Sequence, residues 1–192
     1  MFEASVNKLD DCRRILEGLV RATDSQNFKA HFNSFLNASR AITYALQKEG
    51  AHLDGFQAWY EDKQNEMKAD ELLRFMHDAR TDDFHEGKHR LIFPAGHLAH
   101  FSTNEEERPP NATGFVYGAE GPFWVIDGGT PRERRVPVKS AIYSYAVAVE
   151  NAPSTHKGQP LESNDPVSIC ETTLAYMEGL VYKARERFGR AP

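Results

Sequence analysis

Cysteine is scarce in this chain: Cys12 and Cys170 are the only two among 192 residues. Two thiols make no disulfide scaffold, so the fold must rest on an apolar core. No run approaches the roughly 20 apolar residues needed to cross a bilayer. Met1 to Asp11 lack the basic-then-apolar order of a signal peptide. These absences lead us to expect a cytoplasmic protein with no membrane partner. Charge of one sign is also missing in bulk. The net charge is −5, with −4 on residues 1–88 and −1 on residues 89–192. Such a balance excludes a strong nonspecific nucleic-acid binder, so any role of that kind needs a small local site. Aromatic residues, by contrast, are plentiful: 12 Phe, 7 Tyr and 2 Trp in a chain that is 40% hydrophobic. That is enough for a sizeable core and excludes wholesale disorder.

Apolar residues recur at steps of three and four over 2–22 and again over 26–48, where Phe28, Phe32, Phe35, Leu36, Ile42 and Leu46 form one stripe. Both segments read as amphipathic helices. Gly50 is placed to end the second. Asp54 is placed to cap a third, carrying Phe56, Trp59, Tyr60 and Met67. A fourth runs from about Asp70 to Gly87. From Lys88 the character changes. Phe115–Tyr117, Phe123–Ile126 and Ile142–Val149 are short, aromatic or β-branched, and bounded by Gly and Pro, which predicts strands of a small antiparallel sheet. Asp127-Gly128-Gly129 is a turn signal. A last helix starts at Asp165-Pro166, a cap followed by the residue suited to the first helical position. Its stripe of Val167, Cys170, Leu174, Met177, Val181, Ala184 and Phe188 is the cleanest in the chain. The expected architecture is mainly α. Residues 1–88 give the first helices of an antiparallel bundle, 89–160 an inserted β-rich module, and 161–192 the closing helix, all in a single domain.

The fourth helix ends in a dense ionisable cluster, Asp78 to Glu86. Within it, Arg80-x4-His85 joins a fixed cation to a group that titrates near neutrality. Phosphodiester cleavage uses both, the guanidinium on phosphate and the imidazole as acid or base. On a regular helix, positions 80 and 85 lie about 140° apart. They converge if the arginine bends round, if the helix end unwinds, or if a second subunit completes the site. Asp83 falls at the centre of the stripe of Leu72, Met76 and Ala79, so it is either a buried polar residue with a partner or a sign that the helix has loosened. Arg40 flanks the second stripe. It is either a second phosphate contact or, preferably, a structural ion pair with an acid of the fourth helix.

Arg80-x4-His85 at the end of a helix in a bundle resembles the R-x4–6-H motif of the HEPN superfamily. The segment Phe32 to Arg40, then Trp59-Tyr60 and Asp78-Ala79-Arg80, is similar to a prokaryotic HEPN-like subgroup. The resemblance covers about residues 1–88. It implies a homodimer with the motif in a cleft at the subunit interface. It also implies a metal-independent endoribonuclease of a defence or toxin–antitoxin system, or a degenerate relative, with an antitoxin or regulator as protein partner. By this resemblance Arg80 and His85 are the catalytic pair, and Arg40, Thr81 and Asp83 are substrate-binding, with RNA as substrate. Thr81 stands where the family often has Asn, Asp or His.

Two other readings stand beside this one. The first is a non-enzymatic binding or regulatory protein whose β module engages a partner. The second uses the histidines. His77, His85, His89, His97 and His100 fall within 24 residues, among Asp82, Asp83 and Glu86, and neutral imidazoles with a carboxylate suit zinc. No metal or cofactor is assigned, because no HExxH or Cys pair supports the set. The short basic run Arg132 to Arg135, with Phe123, Trp124 and Tyr143 as stacking surfaces, is a further RNA or partner contact.

Overall fold

The structure is a computed structural model. It describes the backbone of residues 1–22, 24–86, 90–93, 98–102, 108–118, 121–138, 142–145 and 147–189, and their side chains except at 84–86, 98–102, 117–118, 121 and 142–145. The chain divides into two compact units, one made of Met1–Pro94 with Val147–Pro192 and the other of Ala95–Ala146.

The first unit is helical. Helix α1 (Glu3–Arg21) buries Leu9, Cys12, Leu16 and Leu19, and α2 (Ser25–Gly50) buries Phe32, Phe35, Leu36, Ile42 and Leu46. The two stripes pack on each other, as steps of three and four require of paired amphipathic helices. The first turn of α1 has no side-chain cap of its own; Phe2 precedes it at φ 65°. Glu49, at the far end of α2, supplies one. Its carboxylate accepts from the backbone N–H groups of Ala4 and Ser5, each at 2.9 Å. A negative charge there satisfies orphan donors and suits the helix dipole.

Gly50 is the last residue of α2, and its lack of a side chain makes room for a neighbouring ring. A Cβ at this position would lie 2.2 Å from the Phe56 ring. Phe56 opens α3 (Phe56–Ala69) and is fully buried, with Phe2, Trp59, Tyr60 and Phe188 all within 6.1 Å of it, ring centre to ring centre. The expected cap at Asp54 is not made. Gly55, at φ 72°, occupies the N-cap position and offers no side chain.

Helix α4 (Glu71–Glu86) is capped by Asp70, which accepts from Leu73 N at 2.9 Å. Helix α5 (Pro166–Phe188) starts at Asp165, whose carboxylate accepts from Val167 N and Ser168 N, with Pro166 in the first turn. It packs against α1, α2 and α4 and completes one buried cluster.

Segments expected in the inserted module belong to the helical unit. Strand β1 (Leu91–Ile92) pairs antiparallel with β7 (Ala148–Val149), and both Leu91 and Val149 are buried in the helical core. The hairpin β8–β9 (Thr155–His156 and Gln159–Pro160) is held by the start of α4. There Glu71 accepts from Ser154 N and Thr155 N, and Asp70 from Lys157 N at 2.6 Å and from His156 Nδ1 at 3.1 Å. The inserted unit is therefore narrower than residues 89–160, because apolar burial and these carboxylate bonds claim its flanks.

The second unit carries β2 (Leu98–Ser102) paired with β6 (Ile142–Tyr145), and a three-stranded antiparallel sheet of β3 (Ala112–Gly118), β4 (Gly121–Ile126) and β5 (Arg134–Pro137). The run 142–149, expected as one strand, is two strands serving different units. The Asp127–Gly129 turn joins β4 to β5, with Asp127 at φ 51° and Gly129 at φ 78°.

A candidate anion-binding recess

Helices α2, α3 and α4 enclose a recess of about 370 Å³, which Met177 of α5 also lines. Each helix contributes by its own register. Leu36, Arg40 and Thr43 are one face of α2, and Gln64, Met67 and Lys68 one face of α3. Arg74, His77 and Arg80 follow at steps of three along α4, the spacing that puts side chains on one face. The lining holds Arg40, Lys68, Arg74 and Arg80, and no aspartate or glutamate. Four cations on one concavity without a carboxylate make a field that favours anions, strengthened by the apolar wall behind them.

Among the described residues Arg40 makes no ion pair with an acid of α4, so the preferred structural reading is not met there. Its Nη1 donates to Thr43 Oγ1 at 3.0 Å, one turn along the same helix. Tyr60 lies beside it, donating its hydroxyl to the Thr43 carbonyl at 3.0 Å. Burial pushes the Tyr60 phenol up, with Arg40 and Thr43 acting against it. Lys68 and Arg74 are exposed and, like Arg40, make no ion pair among the described residues. Arg80 Nε donates to Asn37 Oδ1 of α2 at 3.3 Å. His77 is exposed at the rim, with Nδ1 3.2 Å from Asp78 Oδ1.

The other expected site residues are placed differently. Thr81 donates its hydroxyl to the His77 carbonyl at 3.0 Å, bonding back along its own helix. Asp83 accepts from Asn33 Nδ2 of α2 at 2.9 Å. It is a half-buried polar residue with a partner, and the helix has not loosened, since α4 stays helical to Glu86. Unwinding therefore does not bring positions 80 and 85 together. The His85 side chain lies outside the described residues, as do those of His89, His97 and His100. Among the described residues no group of three or more metal-ligating side chains gathers, and Asp82 pairs with Arg90. Of the basic run, Arg132, Arg134 and Arg135 are exposed, whereas Trp124 is buried against Phe115 and beneath Arg108. Both cysteines are buried. Burial pushes the Cys12 thiol up to about 12, and Cys170 is raised as well.

Arg40 and Arg80 are singled out in the sequence, and His77 only among the histidines weighed for a metal; not seen there are Lys68 and the placement of Arg74 and His77 on this recess. The signal for the last two is Arg74-x2-His77-x2-Arg80, a basic row beside the α4 stripe. Weighing each helix only against its own apolar face hides it.

The fold defines a helical protein that carries a small antiparallel β unit between its fourth and fifth helices in the chain, with no described helix long and apolar enough to cross a membrane. Residues 4–88 match the family model described as bacteriophage lambda protein ea47. No curated protein and no solved structure matches the chain. The match corrects the HEPN resemblance. The stretch that carried it, from Phe32 through Arg80 to His85, lies inside the residues that match a different family. A string as short as R-x4-H recurs by chance, and a basic residue near a helix C-terminus also suits the dipole. The dimer, defence and antitoxin roles rested on that resemblance and lose their support with it.

Proposed function

We propose that the helical unit is a binding module for phosphate-bearing ligands, with RNA as the ligand class. One observation carries the reading: Arg40, Lys68, Arg74 and Arg80 surround one recess whose lining contains no carboxylate. Guanidinium groups bind phosphate oxygens through paired N–H donors. A local site of this kind reconciles phosphate binding with the net charge of −5, which rules out only a broad basic surface. The test is fluorescence anisotropy with a labelled RNA at low salt. The double variant R40A/R74A should bind roughly a hundredfold more weakly, about tenfold for each guanidinium removed. Unchanged affinity, or no binding by the parent protein, would overturn the reading.

A second reading is phosphodiester cleavage. It is favoured by the His77 imidazole, which lines the same recess one helical turn from Arg80. RNA cleavage in EDTA that is lost in His77→Ala would support it. Loss in His85→Ala alone would return the chemistry to the pair expected from sequence. Equal cleavage by parent and both variants would end it.

A further inference from the structure

The chain has four methionines, and the three beyond Met1 all line this recess. Met67 comes from α3, Met76 from α4 and Met177 from α5, so three separate helices converge on one thioether wall, completed by Leu36 and Leu73. Methionine fills irregular gaps in a core, and here the three internal methionines meet where four cations also gather. Leu36, Leu73, Met76 and Met177 are themselves buried and show the recess only part of their surface, beside the half-buried Met67; an inorganic anion would use the cations and leave that apolar surface uncovered. A ligand that uses both has a charged part and a flat or apolar body. Thioether sulfur makes favourable contacts with aromatic rings and adapts to their outline, and a guanidinium plane stacks on a ring while holding a phosphate.

We propose that the recess takes one unstacked base of a single-stranded nucleic acid. The base lies on the methionine wall, and the flanking phosphates lie on Arg40 and Arg74. This rests on the phosphate-binding reading and narrows its substrate class. The volume of about 370 Å³ stands at the small end of ligand pockets, about 300–1,000 Å³, and suits one nucleotide. A duplex keeps its bases stacked inside and would have to extrude one at a cost; a single strand presents its bases freely. Gln64 gives the recess an edge-reading group. Gln64 lines the cavity and its amide makes no hydrogen bond among the described residues, which leaves a donor and an acceptor for a base. No Phe, Tyr or Trp lines the recess, and the ring it does present is the His77 imidazole at the rim, so the base meets chiefly thioethers and guanidinium planes. Base discrimination should accordingly be weak.

The experiment uses the full chain and four probes: a labelled single-stranded RNA, the same RNA as a duplex, an abasic strand of equal length, and the free mononucleotide. The single strand should bind about tenfold more tightly than the abasic strand or the duplex. Met67 and Gln64 are only half-buried, so M67A and Q64A should fold; circular dichroism checks this. Both should lower the preference for the base-bearing strand over the abasic strand. The slope of log affinity against log salt should be about −1.4, the value for the two phosphate contacts at Arg40 and Arg74 on a single strand. Equal binding of the abasic and base-bearing strands would overturn the base-in-recess proposal and leave phosphate binding standing. A free mononucleotide that matches the strand's affinity would overturn the single-strand assignment in favour of a small-molecule pocket. Failure of every probe to bind would remove the phosphate reading itself.

Discussion

In the helical unit one buried cluster runs from Phe2 through the Phe56 aromatic group to Ala184 of the last helix. In the inserted unit the described buried side chains are Pro122, Trp124, Val125 and Ile126, all on β4. The first cluster is assembled from long elements whose apolar faces repeat for many turns. The second rests on one strand between two short neighbours. A core spread over five helices fixes the geometry of what it supports, and the recess of α2, α3 and α4 inherits that rigidity. A sheet of four- to seven-residue strands gives less to build on. The difference explains why the anion site is read in the helices.

The comparison breaks most directly at the aromatic centre. Phe56→Ala should cost about 3–5 kcal/mol, seen as a large fall in the urea midpoint of the helical circular-dichroism signal. Trp124→Ala should leave that midpoint unchanged while altering the near-ultraviolet signal, because no described residue of 95–146 belongs to the helical cluster. A matching fall for both would show one cooperative core. Gly50→Ala should cost about 1–3 kcal/mol by the same measurement, since the new methyl group meets the Phe56 ring and not the tip of a flexible chain. Asp165→Ala should cost about 1 kcal/mol, the usual effect of removing an N-cap.

The acid response should also belong to the helical unit. Burial works against ionisation of Asp70, but bonds from Lys157 N, Leu73 N and His156 outweigh it, and its pKa falls below the ordinary value. Glu49 and Asp165 behave alike, each held down by hydrogen bonds that overcome burial. A carboxylate lowered in the folded state adds stability above its ordinary pKa, about 4, and loses it as the pH falls through the lowered value. Helical stability should therefore be flat near neutrality and decline below about pH 4. Asp70→Asn should reduce that decline; an unchanged acid curve would show that Asp70 is not a source of it.

Much of the fold is legible because helices write themselves locally. The stripes of α1, α2 and α5 and the Asp165-Pro166 start depend on neighbours three and four residues apart, and the structure keeps all of them. The strand run 142–149 cannot be divided from sequence. Its break is set by partners about 45 and 57 residues upstream, Leu98–Ser102 for one half and Leu91–Ile92 for the other, and pairings so distant leave no local mark. Gly50 is legible as a helix end, but what requires a glycine there, the Phe56 ring, is a tertiary contact. Within the site, Arg40 and Arg80 stand out as single residues. Lys68, Arg74 and the methionine wall emerge only when three helix registers are known together.

The central claim is that the recess on α2, α3 and α4 binds phosphate-bearing ligand. The most direct measurement is amide chemical-shift mapping of the full chain during titration with a short single-stranded RNA. The account predicts that shifts concentrate at residues 36–43, 64–68 and 73–80 and disappear in R40A/R74A. Shifts confined to the basic strand Arg134–Pro137 and its neighbours on the inserted sheet, unaffected by that double variant, would contradict it.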